Sequence, residues 1–377
     1  MHMLGELDGV GGTARLLLSL VKNSSPDTVR HSFVCMRRGQ LQPEFEQAGA
    51  LVEVVNSVAT LAIVRAALGF ARRNRVSLVS THFTSSFICG NAVAGLLGLP
   101  LIHNEHGPAL ETPTHRALRG MIGGVLRRRL LRTAKAVVCN SHYTARTVAH
   151  AYGVGAGQLR VLHLPVERRG VGDRDASSQP QLVPPGETPL WIGHIGGMIP
   201  SRDQATLIRA IHLLRDRGVD ARLILIGDGP ERALLERLSA RLRLQPRVEF
   251  WGYQADLTGF FCRIGIYLNP AIAEGFGIAV VEAMLAGNPV VLANAGSHPE
   301  LIEDGRTGLL YPPQDAQQLA ACIARLRSDP VAWAAIAAAG REHATRAFAP
   351  QVYALTYRRL VESVLAGAVL PAAMVEA

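Results

Sequence analysis

Two carboxylates eight positions apart, Glu274 and Glu282, flank the start of a helix-like run and could hold a ligand between them. The apolar run IGIYLNP (Ile264 to Pro270) predicts a strand, AEGFG a glycine-bracketed loop, and IAVVEAMLA a helix that stops at Gly287. A glycine turn after a strand lets backbone amides approach a ligand, and the N-terminus of the next helix favours an anion by about 0.3–1 kcal/mol. The E-x7-E spacing puts Glu274 at the mouth of such an anion site and Glu282 deeper along the same side. Taken alone, the same spacing describes a capped helix with one surface acid.

The residues around the pair narrow the choice. EGFG, VVEAMLAGNPVV and GSHPELIEDGRTGLLYPP follow one another at set distances. In order and spacing they resemble the nucleotide-sugar-binding half of retaining GT-B glycosyltransferases, the family-4 group. The resemblance extends over nearly the whole chain and is sharpest from Trp191 to Pro313. It implies an α/β chain with two Rossmann-like domains facing a central cleft and a C-terminal helix crossing back to the first. It also implies that Glu274 contacts the donor sugar and Glu282 the ribose hydroxyls. The amides of Gly275, Phe276 and Gly277 would then lie near the sugar and phosphates.

These residues need elements to position them. Alternating strand-like and helix-like runs (HSFVCM, LVEVV, LAIVRAALGFARRN, VSLVSTHF, FICGNAVAGLLG, LPLIHNEHG) predict a parallel sheet covered by helices. In such sheets ligands bind beyond the C-terminal strand ends. The opening strand is short, Met1 to Leu4, and Gly9, Gly11 and Gly12 precede a helix beginning near Thr13. That loop is a phosphate or acceptor-side loop under the resemblance, and an ordinary tight turn without it. His82 and His106 fall at strand ends, where loop histidines are also common. The resemblance places the EHG histidine, His106, near the transferred sugar and makes His82 the lesser candidate. Ser141 is an expected N-cap of the helix that follows AKAVVCN.

The domain boundaries expected are 1–168, a linker over 169–188, 189–349, and a crossover helix with tail over 350–377. The linker is polar and rich in Gly, Pro and Ser, and its Asp173-Arg174-Asp175 string has no preceding strand, so it is read as linker charge and not as a metal motif. The second domain opens with PLWIGHIGGMIPSRDQATLIRAIHLL. The resembled family carries an Arg and, five residues on, a Lys that clamp the diphosphate. Here the Lys position is Arg202, and the Arg position is Gly197, a departure. Gly227 and Gly229 recur in the family close to the nucleotide. Tyr253, or Trp251 beside it, could stack on the base, and both could equally be core aromatics, the reading preferred for Trp251.

Composition bounds the rest. The chain has 377 residues, 48% hydrophobic and 18% charged, which fits two globular domains and excludes a disordered chain. Its five cysteines lie far apart with no C-x-x-C pair, a pattern of reduced thiols in a cytosolic protein and not of a zinc site. No secretory leader is recognisable at MHMLGELDG, and the apolar stretch from Phe87 to Ile102 is too broken for a membrane span. The net charge of +9 is almost all arginine, the only lysines being Lys22 and Lys135. No nucleic-acid module accompanies that charge. The run HRALRGMIGGVLRRRLLRTA carries Arg127, Arg128, Arg129 and Arg132 among leucines. It reads as a basic helix on an anionic membrane face, or as a solvated surface helix.

The expectation is a cytoplasmic, metal-independent and cofactor-free retaining glycosyltransferase, peripheral on the inner membrane face if the basic helix binds lipid. Its partners would be a nucleotide-diphosphate sugar and a glycan, lipid-linked or small-molecule acceptor, with no nucleic acid. The alternative is a non-catalytic GT-B protein that binds a sugar nucleotide or scaffolds a glycan-assembly complex.

Overall fold

The computed structural model describes residues 1–8, 12–109, 118–167 and 189–368. Gly9, Gly11, the 169–188 linker with its Asp173–Asp175 string, and the C-terminal tail lie outside the described residues. The chain divides into two compact units, Met1–Pro165 with the segment from Pro350 onward, and Val166–Ala349.

The first unit is built on a seven-stranded parallel sheet: β1 (His2–Leu4), β2 (Ser32–Cys35), β3 (Leu51–Val54), β4 (Val79–His82), β5 (Leu101–Glu105), β6 (Ala136–Cys139) and β7 (Leu159–Val161). Their order is β3-β2-β1-β4-β5-β6-β7. The central strands β1, β2, β4 and β6 are buried throughout, because helices cover both faces and leave no solvent side on which polar residues could alternate. The three-residue β1 is nevertheless central. It bonds β2 in register His2 to Phe33 and β4 in register His2 to Ser80. Ser141 caps the helix His142–Tyr152 by accepting from the Thr144 amide, and Gly153 ends that helix in the left-handed region. The last helix, Pro350–Leu365, packs on this first unit. Its Tyr353, Ala354, Tyr357 and Leu360 join the core of Leu17, Leu20 and Phe33, and the Tyr357 hydroxyl lies 3.0 Å from Ser80 Oγ.

The second unit holds a six-stranded parallel sheet: β8 (Leu190–Ile195), β9 (Ala221–Ile226), β10 (Val248–Gly252), β11 (Ile266–Asn269), β12 (Val290–Ala293) and β13 (Leu309–Tyr311). Its order, β10-β9-β8-β11-β12-β13, reverses direction between β8 and β11. At such a switch point the connections from the two strands leave toward opposite faces, opening a crevice beyond their carboxyl ends. In the first unit the corresponding reversal falls between β1 and β4.

Candidate active site

The β8/β11 switch brings together Arg202, Glu274 and the glycine loop before the helix Ile278–Ala286. Beyond β11 the chain runs through a loop to Gly277, whose φ of +95° starts the helix Ile278–Ala286. Glu274 lies in this loop, 8% exposed, and Arg202 reaches it from the turn after β8. The Arg202 guanidinium donates to Glu274 Oε2, and Asn269 Nδ2 donates to the same oxygen at 3.3 Å. Oε1 accepts from the Gly275 amide at 3.1 Å. Both carboxylate oxygens are therefore held, and the Gly275 amide is engaged by the neighbouring side chain.

Behind the loop, Ser297 fixes its course. The Ser297 amide donates to the Glu274 carbonyl at 3.1 Å and its hydroxyl to the Phe276 carbonyl at 2.9 Å. Gly296, at φ +60°, sits so close that a Cβ there would come within 2.6 Å of the Glu274 nitrogen. The Phe276 ring is buried edge-on against Phe348 at 5.6 Å, so only its backbone faces outward chemistry. Glu282 lies a little over one turn into the helix, half-buried, and its charge reaches the Tyr267 hydroxyl, which burial has already pushed well above its ordinary range.

The glycine turn after β8 is braced from beneath. Gln204 Nε2 donates to the Gly197 carbonyl at 3.0 Å. His194, fully buried, shares a hydrogen of its Nδ1 with the Leu268 carbonyl at 2.9 Å and is held by burial at about 4, well under the ordinary histidine value. The structure gives Gly227 and Gly229 a packing role. A Cβ at Gly227 would lie 2.2 Å from the Gly196 carbonyl oxygen, and one at Gly229 would lie 2.5 Å from that of Met198. These two glycines are required because the turn after β9 packs directly on the turn after β8. The side on which a Cβ would stand meets backbone of the neighbouring turn. Gly227→Ala is accordingly expected to cost about 3 kcal/mol, combining left-handed strain with overpacking, whereas Gly197→Ala meets nothing closer than 3.8 Å and should be near neutral. Urea denaturation of both variants checks this, and equal stability would contradict it.

Tyr253 stands just past β10, two strands from β8, and is 68% exposed. Trp251 is half-buried and not a core residue. Its indole N–H donates to Glu249 at 2.8 Å and Arg263 lies over its ring.

In the first unit the structure corrects His82. It is 1% exposed with both ring nitrogens committed, Nε2 to His2 Nδ1 and Nδ1 to His106 Nε2, each at 3.0 Å. The ring cannot meet a phosphate or acceptor directly. His106 follows β5, half-buried, with Asn140 donating to its carbonyl at 3.1 Å. Gly12 opens the helix Gly12–Lys22, and Gly11 is outside the described residues.

Sequence reasoning missed the neighbours of His106. His103 and Glu105 are two apart on β5 and so share one face, a period-2 signal that the string HNEH carried. His103 Nε2 donates to Glu105 at 3.1 Å, and Arg127 donates to the same carboxylate. Burial would raise the Glu105 carboxyl, yet the His103 and Arg127 contacts bring it down to about 2. Arg127 also lies 4.6 Å above the Tyr152 ring. It is thereby drawn inward, away from the lipid-facing role expected of it. Arg128 donates to the Ala151 carbonyl at 2.9 Å but stays exposed, as do Arg129 and Arg132, beside exposed Val125 and Leu126.

Comparison with known proteins agrees with this architecture. Residues 10–169 match the model of Glycosyltransferase Family 4 and residues 189–329 that of Glycosyl transferases group 1, so the matches together take in most of the chain. The chain belongs to the GT-B glycosyltransferases of family 4. It is 28% identical over 291 residues to the D-inositol 3-phosphate glycosyltransferase of Streptomyces avermitilis, covering 71% of this chain and 61% of that protein. It is 30% identical over 230 residues to the GDP-mannose-dependent alpha-(1-6)-phosphatidylinositol monomannoside mannosyltransferase of Mycolicibacterium smegmatis, over 58% of this chain and 59% of that one. The match thus spans about three fifths of the length of these curated relatives. The crystal structure of Anabaena HepE in complex with UDP is similar at a TM-score of 0.78 and 24% identity, over 96% of this chain and 99% of that chain. At that identity the likeness is one of fold.

Among the described residues no group of three or more His, Cys, Asp or Glu side chains is placed to hold a metal ion. Among them, too, no helix is long and apolar enough to cross a membrane.

Proposed function

We propose that the chain is a retaining, metal-independent glycosyltransferase that moves a sugar from a nucleotide-diphosphate donor to an acceptor hydroxyl. The observation carrying this reading is the part-buried Arg202–Glu274 pair at the β8/β11 switch, beside the N-terminus of the helix Ile278–Ala286. Arg202 and the helix amides meet diphosphate charge without a cation. Glu274 contacts the sugar, Glu282 the ribose hydroxyls, and His106 belongs to the acceptor side. In the reaction the sugar carbon loses its bond to the diphosphate oxygen and gains one to the acceptor oxygen on the same face. The acceptor proton passes to the departing diphosphate, so no enzymic nucleophile is needed. The relatives named above and the UDP held by HepE favour UDP- or GDP-sugars as donors, and a cytoplasmic setting supplies both.

Gly197 supports a second reading, a binding or scaffold protein, since a guanidinium is missing where the leaving group gains charge. One experiment separates the two. UDP-, GDP- and ADP-sugars are screened by thermal shift, then followed for release of nucleotide diphosphate with and without EDTA. A donor at a hundred times its Kd adds about 2.7 kcal/mol of stability. The expected result is a shift by one donor and release that survives chelation. A shift without release in any acceptor mixture, even from Gly197→Arg, leaves the binding reading. Release lost to EDTA and restored by Mg²⁺ overturns metal independence.

The basic helix is proposed as a peripheral contact with anionic lipid through Arg128, Arg129 and Arg132. Replacing all three by Gln should abolish sedimentation with anionic vesicles at low salt. Wild-type protein that ignores such vesicles sinks the idea.

A further inference from the structure

Four histidines of the first unit form one hydrogen-bonded chain through the middle of its sheet. It starts at Ser24, whose Oγ is 3.0 Å from His31 Nε2. His31 Nδ1 meets His2 Nε2, His2 Nδ1 meets His82 Nε2, and His82 Nδ1 meets His106 Nε2, every contact at 3.0 Å. His31 precedes β2, His2 begins β1, His82 ends β4 and His106 follows β5, so the chain passes from the amino-terminal side of the sheet to the carboxyl side. Ser24, His31 and His2 line a cavity of about 830 Å³ at the amino-terminal side.

Each of these contacts takes one hydrogen, and a neutral imidazole has one N–H to give. A row of neutral rings therefore has only two arrangements, all pointing one way or all the other. Ser24 chooses between them. Its single hydroxyl hydrogen goes to the Leu20 carbonyl at 2.7 Å, one of the carbonyls left over at the end of the helix Gly12–Lys22. A carbonyl cannot donate in return, so Ser24 must accept from His31 Nε2–H. His31 Nδ1 is then bare and accepts from His2 Nε2–H, His2 Nδ1 from His82 Nε2–H, and His82 Nδ1 from His106 Nε2–H. The last ring is left with Nδ1 unprotonated, and that atom has no hydrogen-bond partner among the described residues.

The surroundings keep the rings neutral. His2, His31 and His82 are at most 8% exposed, and burial above all, with the nearby Met1 ammonium adding to it, lowers all of them, His31 to about 4. His106 is likewise brought to about 4 by burial, against the pull of Glu105. The other groups facing the chain are the Met1 nitrogen, His103, and the Tyr357 ring stacked on His2. Glu105, whose charge pulls on His106, is already taken by His103 and Arg127.

We propose that Ser24, His31, His2 and His82 are positioning residues that lock His106 in its Nε2–H tautomer, so that His106 Nδ1 meets a substrate hydroxyl as a fixed acceptor. The lock is a property of the unliganded protein. What His106 touches rests on the glycosyltransferase reading, with an acceptor hydroxyl as the group that donates to Nδ1.

The test uses the full chain with ¹⁵N-labelled histidine. Long-range proton–nitrogen correlation spectra distinguish the two tautomers and the imidazolium ring by ring. At neutral pH all four rings are expected as Nε2–H. A His106 signal of the Nδ1–H or imidazolium type overturns the proposal. Two variants far from His106 then release the lock. Ser24→Ala removes the acceptor for His31, and His2→Phe interrupts the chain while keeping a stacked ring. Each should give His106 a mixed tautomer signature, and His106 that stays purely Nε2–H in both shows that the row is only packing. With a donor found, kcat in both should fall about tenfold, the worth of one hydrogen bond, while the donor thermal shift stays put. A raised donor KM with unchanged kcat overturns the positioning role. Failure to transfer any sugar strikes the glycosyltransferase reading and leaves the tautomer result standing.

Discussion

Glu274→Gln should lower kcat on the order of 10²-fold while leaving donor KM within a few-fold, and Glu282→Ala should do the reverse. The reason lies in when each contact matters. Glu274 is proposed to touch the sugar, whose charge changes as the bond to diphosphate breaks, so its carboxylate contributes more at the transition state than before it. Glu282 is proposed to hold the ribose, which is the same before and during the reaction, so its loss weakens binding uniformly. Gln at 274 keeps the shape and an acceptor for Asn269, which donates to Oε2 at 3.3 Å. It removes the charge that Arg202 now balances, freeing the guanidinium for diphosphate. Donor affinity could then even rise while turnover falls, a split that a merely structural Glu274 would not produce. Steady-state kinetics in which Glu274→Gln raises KM at constant kcat would refute the assignment.

The second large effect is acid lability. His194 and His31 are brought to about 4 by burial, against an ordinary value of 6.5. In the unfolded chain these rings take a proton near 6.5, and in the folded chain they resist until about 4. Their contribution to stability is therefore complete above pH 6.5 and is lost as the pH falls toward 4. The difference corresponds to about 3 kcal/mol for each ring, and one lies in each unit. Domains of this size have only about 5–15 kcal/mol in hand. Glu105, lowered to about 2 against 4.5, takes away further stability between those two values. The melting temperature should drop steeply below pH 6, with unfolding by about pH 4.5. A melting temperature flat between pH 7 and pH 5 would show that the buried rings are not neutral in the folded protein.

The sequence by itself determined the α/β class, the family, and the carboxylate pair with its glycine loop. These features are local. A strand, a turn and a helix at fixed spacing place Glu274 and Glu282 with no knowledge of any other segment, and helix stops such as Gly153 and Gly287 follow from backbone sterics. What only the tertiary structure decided concerns partners brought from far along the chain. Arg202 and Glu274 are 72 residues apart, and whether they pair depends on β8 and β11 lying side by side at the switch point. The resemblance set Gly227 close to the nucleotide, and the sequence could not say that the Gly196 backbone packs against it. Arg127 looked like a surface charge until Glu105 and Tyr152 were seen beneath it. The histidine row is the extreme case. His2, His31, His82 and His106 are scattered over four loops and strands and share no spacing, and a hydrogen bond between imidazoles is set by tenths of an ångström. Only the stacking of β1 against β2 and β4 brings those rings within 3.0 Å of one another, and only the Leu20 carbonyl decides which way their protons point.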